Sequence, residues 1–235
     1  MTGHSGQPTV DRQRSACAVA GERQGPAASS RRWEVIIGGE GGQGVVLAGA
    51  LLGEAAVRAG LNAAHTSSYG IATRGGFTRS DVIVAPGEEE IAYPRVRRPH
   101  VVVALSPEAA SRLQPLCGPD TLLILDPGSA APSRPAAAGD SRSAGPRAAG
   151  NARCAGTAAG YRELVLPLRE AVRQAGGERA INMVALGALL GVTGMFPAAV
   201  LEEVLRARFP GERAEINCRA MRSGYELGVS GPGKG

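Results

Sequence analysis

Short apolar runs broken by turns fill the first half of the chain, and helical periods dominate the second. Trp33-Glu34-Val35-Ile36-Ile37 reads as a strand. After a glycine cluster, Val45, Ala48, Leu52, Ala55 and Ala59 recur at helical spacing, Gly49 and Gly53 allow close approach to a sheet, and Gly60 ends the helix. Leu61 to Thr66 predicts a second strand that completes a β-α-β unit, and Val82 to Ala85 a third. Between them Thr66 to Asp81 reads as a polar, glycine-punctuated loop. Ile91-Ala92-Tyr93-Pro94 predicts an edge element, because proline cannot donate to a sheet ladder. Val101 to Leu105 and Thr121 to Leu125 are unbroken apolar runs, suited to strands buried on both faces. Ser106-Pro107-Glu108 between them starts a helix, with serine as N-cap and proline in the first turn.

Tyr161 to Leu166 predicts another strand and Pro167 to Ala175 a helix. Ile181 to Val192 is apolar on nearly all sides, which fits a central core helix or half of a subunit contact. Pro197 opens a helix whose Val200, Leu201, Val204, Leu205 and Phe209 oppose Glu202, Glu203, Arg206 and Arg208, and Pro210-Gly211 stops it. A last helix runs from about Ala214 to Leu227. The order predicts an α/β fold: a three-layer, mostly parallel, Rossmann-like open sheet with C-terminal helices.

Composition changes the domain picture. The 235 residues include 34 glycines and 16 prolines but only 3% aromatics, so part of the chain is expected to pack nothing. That part is residues 1–32 and 127–160, which hold too few large apolar side chains to offset the entropy of ordering. One domain, 33–227, is therefore expected, with a disordered tail at 1–32, a disordered insertion at 127–160 and a flexible tail at 228–235. Of the formal net charge of +5, +3 falls on 1–32 and +3 on 127–160, which leaves −1 for everything else. The basic charge thus belongs to the segments outside the core, and no nucleic-acid footprint is expected on the folded part.

No apolar run reaches ~18 residues, so no membrane span is expected, and the N-terminus lacks the apolar region of a secretory signal. Cys17, Cys117, Cys154 and Cys218 are far apart without a C-x-x-C, and His4, His65 and His100 are scattered. Neither a disulfide framework nor a metal site follows, and a reducing cytoplasm is the expected location.

The candidate chemistry centres on Gly38-Gly39-Glu40-Gly41-Gly42-Gln43-Gly44. Gly39, Gly41 and Gly44 fall on G-x-G-x-x-G spacing between strand and helix, which suits either a phosphate at a helix N-terminus or a turn built for close packing. A dinucleotide site needs an Asp or Glu at the end of the second strand, where His65, Thr66 and Ser67 stand instead, so NAD is disfavoured. The loop after that strand carries Ser67, Ser68, Tyr69, Arg74 and Arg79 and should face the glycines. Its arginines are either partners of a phosphate or carboxylate, or surface ion pairs. His65 with Ser67 or Ser68 lacks an acidic third member and a nucleophile elbow, which argues against a hydrolase.

Three stretches together resemble one family: Ile37 to Val45, then Ser68-Tyr69-Gly70 leading to Arg74-Gly75-Gly76 and Ser80-Asp81-Val82, then Ile181-Asn182-Met183-Val184-Ala185-Leu186-Gly187-Ala188-Leu189. With Tyr93-Pro94 and Gly224-Tyr225-Glu226-Leu227, they look like the γ subunit of 2-oxoacid:ferredoxin (acceptor) oxidoreductases. The resemblance implies a multisubunit enzyme that oxidatively decarboxylates a 2-oxoacid to an acyl-CoA and passes electrons to ferredoxin. It implies thiamine diphosphate on α and β subunits, iron-sulfur clusters on a further subunit, and a chain inactive alone. Where many members have Pro-Glu-Ala, this chain has Ile71-Ala72-Thr73, which leans toward indolepyruvate-type members. Tyr69 and the Asn182 helix lean toward the pyruvate, 2-oxoglutarate and branched-chain group. The site residues carried over are Gly39, Gly41, Gly42, Gln43, Gly44, Ser68, Tyr69, Arg74, Gly75 and Asn182, as candidate contacts to CoA or phosphate, with no catalytic and no metal residue. A structural or assembly module of the same complex, and a free-standing NAD-linked enzyme, are the competing readings.

Overall fold

The computed structural model describes residues 30–69, 76–129, 153–156, 160–176 and 179–231. In chain order the elements are β1 (Trp33–Glu40), α1 (Val45–Arg58), β2 (Asn62–Tyr69), β3 (Phe77–Ala85), β4 (Val101–Ala104), α2 (Pro107–Leu113) and β5 (Leu122–Leu125). There follow β6 (Arg153–Gly156), β7 (Arg162–Val165), α3 (Leu168–Gln174), α4 (Ile181–Thr193), α5 (Ala198–Arg208) and α6 (Glu212–Ser230). Seven strands form one sheet in the order β2-β3-β1-β4-β5-β7-β6. β1, β4, β5 and β7 pair in parallel, and β3 and β6 run against them. β2 is antiparallel to β3 and so points the same way as β1. The sheet is mostly parallel, as the sequence predicts.

Strand alternation divides the core in two. Val35 and Ile37 of β1 and Val101 and Val103 of β4 face α1 and the C-terminal helices. Ile36, Val102 and Ala104 face α2 on the other side, with Val96 and Tyr161. Strands buried on both faces need this continuous apolar character, and the result is three layers. α4 is buried from Ile181 to Gly191, so the apolar run is a core helix. It lies against α6 almost backbone to backbone: a Cβ at Gly187 would meet the Met221 carbonyl, and one at Gly224 the Val184 carbonyl, both closer than 3.0 Å. Only glycine permits that approach.

Several expectations are corrected. The neighbour of β1 is not β2 but β3, which inserts between them. The loop expected over Thr66 to Asp81 is largely a hairpin, because Thr66–Tyr69 and Phe77–Asp81 pair in register, Thr66 with Asp81 and Tyr69 with Thr78. Residues 91–94 form no strand; Val96 is buried there while its amide donates to Asp81. The insertion expected to lack structure contains β6, whose backbone pairs with β7. α6 continues to Ser230, through residues assigned to the flexible tail, because Gly228 packs on Ala188 of α4. The remaining expectations for residues 1–29, 130–152, 157–159 and 232–235 lie outside the described residues. Among the described residues, no helix is long and apolar enough to cross a membrane.

Candidate functional site

β1 ends at the glycine turn, on the sheet edge where open α/β sheets place ligands. Gly39 lies in β1 against Val45 and the Gln43 side chain, and an added Cβ would stand 2.8 Å from Val45 Cγ2. Gly41 and Gly42 are exposed, and Gly42 has φ 98°, a conformation that favours glycine. Gln43 holds the turn with both ends of its amide: Oε1 accepts from the Glu40 N–H (2.8 Å), and Nε2 donates to the Leu105 carbonyl at the end of β4 (3.2 Å). Gly44 caps α1 with φ 72°. Asn182, 4% exposed on α4, donates from Nδ2 to the Gly44 carbonyl (3.2 Å) and accepts from the Met183 N–H (3.1 Å). The first-turn N–H groups of α1, at Val45, Val46 and Leu47, have no helical acceptor and point out of the N-terminus.

The hairpin reaches the same place. Glu40 pairs with Phe77, and the Gly41 N–H donates to the Gly76 carbonyl (3.0 Å). Ser68 is half-buried and Tyr69 is 69% exposed at the end of β2. Arg74 and Gly75 lie outside the described residues. The glycine turn, the end of β2 and the base of the hairpin loop thus share one edge, as the sequence predicts.

Arg79 does not join them as a ligand group. Its guanidinium is bound to Asp81 through Nε (2.5 Å) and Nη2 (2.9 Å), and Nη2 also reaches the Val96 carbonyl (3.2 Å). Sequence reasoning missed Arg169 and Asp126. Asp126 caps α3, accepting from the Arg169 N–H (2.9 Å) and the Gly128 N–H (3.0 Å). Arg169 Nη2 donates to the Leu105 carbonyl (3.3 Å), the same oxygen that Gln43 holds, and its Nε lies 3.5 Å from Asp126 Oδ1, so an Arg169–Asp126 ion pair stands beside the glycine turn. The Asp126-Pro127-Gly128 turn after an apolar run was the available signal; its partner 43 positions on was not.

His65 and a serine do meet, but it is Ser80: Nε2 lies 2.7 Å from Oγ. Ser80 is fully buried under Gly49 of α1, and Asp81 turns to the opposite face of β3, so no acid stands behind the imidazole. Burial lowers the His65 pKa against the pull of Asp81. Among the described residues no three His, Cys, Asp or Glu side chains gather as a metal site. Cys117, half-buried, has its thiol pushed up to about 11 by burial first and by Glu163 second, and it stays protonated at neutral pH.

The topology also bears on dinucleotides. In a Rossmann site the second strand adjoins the first and carries the ribose acid at its end. Here β3 occupies that place, antiparallel.

The pyruvate ferredoxin/flavodoxin oxidoreductase profile matches residues 34–227. The chain belongs to this family. It is 33% identical over 201 residues to the 2-oxoglutarate synthase subunit KorC of Methanothermobacter marburgensis, covering 85% of this chain and 98% of that protein. It is 28% identical over 201 residues to the indolepyruvate oxidoreductase subunit IorB of Archaeoglobus fulgidus, covering 85% and 97%. Its fold matches the γ subunit of a keto/oxoacid ferredoxin oxidoreductase from Geobacter sulfurreducens with TM-score 0.64 and 25% identity, over 84% of this chain and 98% of that one. The family resemblance and the α/β fold read from the sequence both hold. This family member is a γ-type subunit of an oxidoreductase complex that oxidises a 2-oxoacid.

Proposed function

We propose that this γ subunit contributes the CoA side of the reaction, with its glycine turn receiving an anionic part of CoA. The observation that carries this reading is the Gly41–Gly76 hydrogen bond, which brings the start of β3 beside the glycine turn and the open N-terminus of α1. Gly39, Gln43, Gly44 and Asn182 shape the turn. Gly41, Gly42, Ser68, Tyr69 and, from the loop, Arg74 and Gly75 offer the contacts, with the Arg169–Asp126 pair beside the turn. Helix N–H groups and a guanidinium suit phosphate.

Thiamine diphosphate belongs in this reading to α and β subunits, the iron-sulfur clusters to a cluster-bearing subunit, and ferredoxin accepts the electrons of the whole complex. The described residues do not fit a cluster: Cys117 is a high-pKa thiol between α2 and β5, and Cys218 is fully buried on α6. In this reading the chain is inert alone and acts in the assembled complex. The relative named for 2-oxoglutarate is the more similar of the two compared, so 2-oxoglutarate is the first 2-oxoacid to assay in the assembled enzyme and indolepyruvate the second.

Arg74→Ala in the assembled complex is expected to raise the KM for CoA, since a charge-assisted bond is worth about 1.5–3 kcal/mol, roughly 10- to 150-fold. An unchanged KM and kcat would remove Arg74 from the site. A second reading, a pure assembly module, is favoured by one fact: both ends of the Gln43 amide, and that of Asn182, are satisfied inside the chain. Calorimetry that finds no CoA or phosphate binding, together with capture of thiamine-binding partners, would select it.

A further inference from the structure

Among the described residues β2 is the terminal strand of the sheet, with β3 as its strand neighbour. In an antiparallel pair the N–H and C=O groups of alternate residues turn away from the neighbour. Among the described residues no backbone hydrogen bond reaches that outer edge. Exposed edges are ordinarily blunted by Lys, Pro, inward charges or a bulge. The eight residues Asn62-Ala63-Ala64-His65-Thr66-Ser67-Ser68-Tyr69 contain none of the charged or proline devices.

The surroundings are polarised along the strand. At its start, Asn62 Nδ2 donates to the Gly87 and Glu89 carbonyls (3.0 and 2.9 Å), which fixes the acidic Glu88-Glu89-Glu90 there. Glu89 is neutralised by Arg32, while Glu88 and Glu90 are exposed and enter no ion pair among the described residues. At its other half, Thr66 Oγ1 donates to the Pro94 carbonyl (3.3 Å). There a cleft of about 150 Å³ runs between Thr66-Ser67-Ser68 and Tyr93-Pro94-Arg95. Arg79 and Asp81 of β3 line it as well, and they pair with Ser68 and Thr66, so the cleft lies over that face of the β2–β3 pair, next to the terminal strand. Arg95 is exposed and likewise unpaired among the described residues.

We propose that β2 pairs antiparallel, about a two-fold axis, with β2 of a second copy of this chain. Antiparallel pairing sets the Asn62 end of one copy beside the Tyr69 end of the other, so Glu88 and Glu90 face the partner's Arg95 on both sides of the axis. Parallel pairing would set like charge beside like. An isologous contact of this kind uses one patch twice and closes at two copies. Tyr93, 52% exposed beside the cleft, loses water on pairing.

Sedimentation velocity of the full chain tests this at physiological salt, with thermal melts confirming that each variant is folded. The wild type is expected to dimerise, and Ser67→Lys to weaken the dimer roughly tenfold or more by putting a charge on the edge. Arg95→Glu should weaken it similarly, and adding Glu88→Arg and Glu90→Arg to that variant should restore it. A wild type that stays monomeric, or a dimer indifferent to Ser67→Lys, overturns the proposal. If Ser67→Lys does not fold, the exposed charge-swap series decides: no recovery in the triple variant overturns it as well.

Discussion

Asn182 on α4 donates to the carbonyl of Gly44, 138 positions earlier in the chain. Through that bond the C-terminal helical layer grips the turn that opens α1. The glycine at 44 is required twice over: φ is 72°, and an added Cβ would come within 3.0 Å of the Asn182 amide nitrogen.

Gly44→Ala should therefore destabilise the domain by about 1–2 kcal/mol for the left-handed backbone, with a further ~1–3 kcal/mol for displacing Asn182. Asn182→Ala removes two hydrogen bonds whose partners keep backbone ones, the Gly44 carbonyl from the Ala48 N–H and the Met183 N–H to the Ala180 carbonyl, and should cost about 0.5–1.5 kcal/mol. Thermal melts read this as roughly 2–4 °C per kcal/mol for a chain of this size. Because the two residues touch, the double variant should lose less than the sum. A strictly additive result would show that the turn and α4 are not coupled.

Such long-range pairs explain what the sequence could and could not disclose. β4 and α4 were legible because burial on all sides leaves an unbroken apolar record, and α1 because Val45, Ala48, Leu52 and Ala55 keep one face. The hairpin was not, since Thr66 to Tyr69 and Phe77 to Asp81 look polar to a periodicity reading. Thr78, Ser80 and Asp81 are nevertheless buried, made tolerable by Gly76, His65 and Arg79. Glycine spacing marked the turn between β1 and α1, but the roles of Gln43, Asp126 and Arg169 depend on contacts that close only when separate strands end on one edge. β6 is four residues whose case as a strand rests on β7.

The α4–α6 contact yields a second stability prediction. Gly187→Ala and Gly224→Ala each place a methyl group against a facing backbone carbonyl, which cannot move away as a flexible side chain could. Each should cost more than the ~1 kcal/mol that glycine-to-alanine ordinarily gains inside a helix, for a net loss of about 1–3 kcal/mol. Denaturant midpoints measure it, and an unchanged or raised midpoint would place the two helices farther apart than described.

Acid should loosen the opposite end of the sheet. His100 Nδ1 accepts from the Glu34 N–H (3.0 Å), and the ring stands edge-on to Trp33 at 6.1 Å. Protonation would turn that acceptor into a donor facing a donor. Burial first, and Arg31 second, hold the His100 pKa below its ordinary 6.5, against Glu34 and Asp120; burial lowers His65 as well. A histidine depressed in the folded state contributes stability above pH 6.5 that is lost as pH falls through the lower, folded value. Melting temperature should therefore drop below pH 6.5, and His100→Asn, which keeps an acceptor and does not titrate, should flatten the drop. A His100→Asn profile parallel to wild type would assign the acid sensitivity elsewhere.

The Arg79–Asp81 pair carries a prediction of different sign for single and double changes. Asp81 is 3% exposed, and besides the two-pronged bond from Arg79 it accepts from the Val96 N–H (3.2 Å), tying residues 93–97 down over the hairpin. Arg79→Met would strand a buried carboxylate and should cost about 3–5 kcal/mol. Replacing both, Arg79→Met with Asp81→Leu, removes the stranded charge and should recover most of that loss, leaving the unsatisfied Val96 N–H at about 1–3 kcal/mol. Because Arg79 is engaged inside the chain, Arg79→Lys should alter stability without the selective rise in the KM for CoA expected of Arg74→Ala. A selective rise in that KM at normal stability would show instead that Arg79 leaves Asp81 for the ligand in the assembled enzyme.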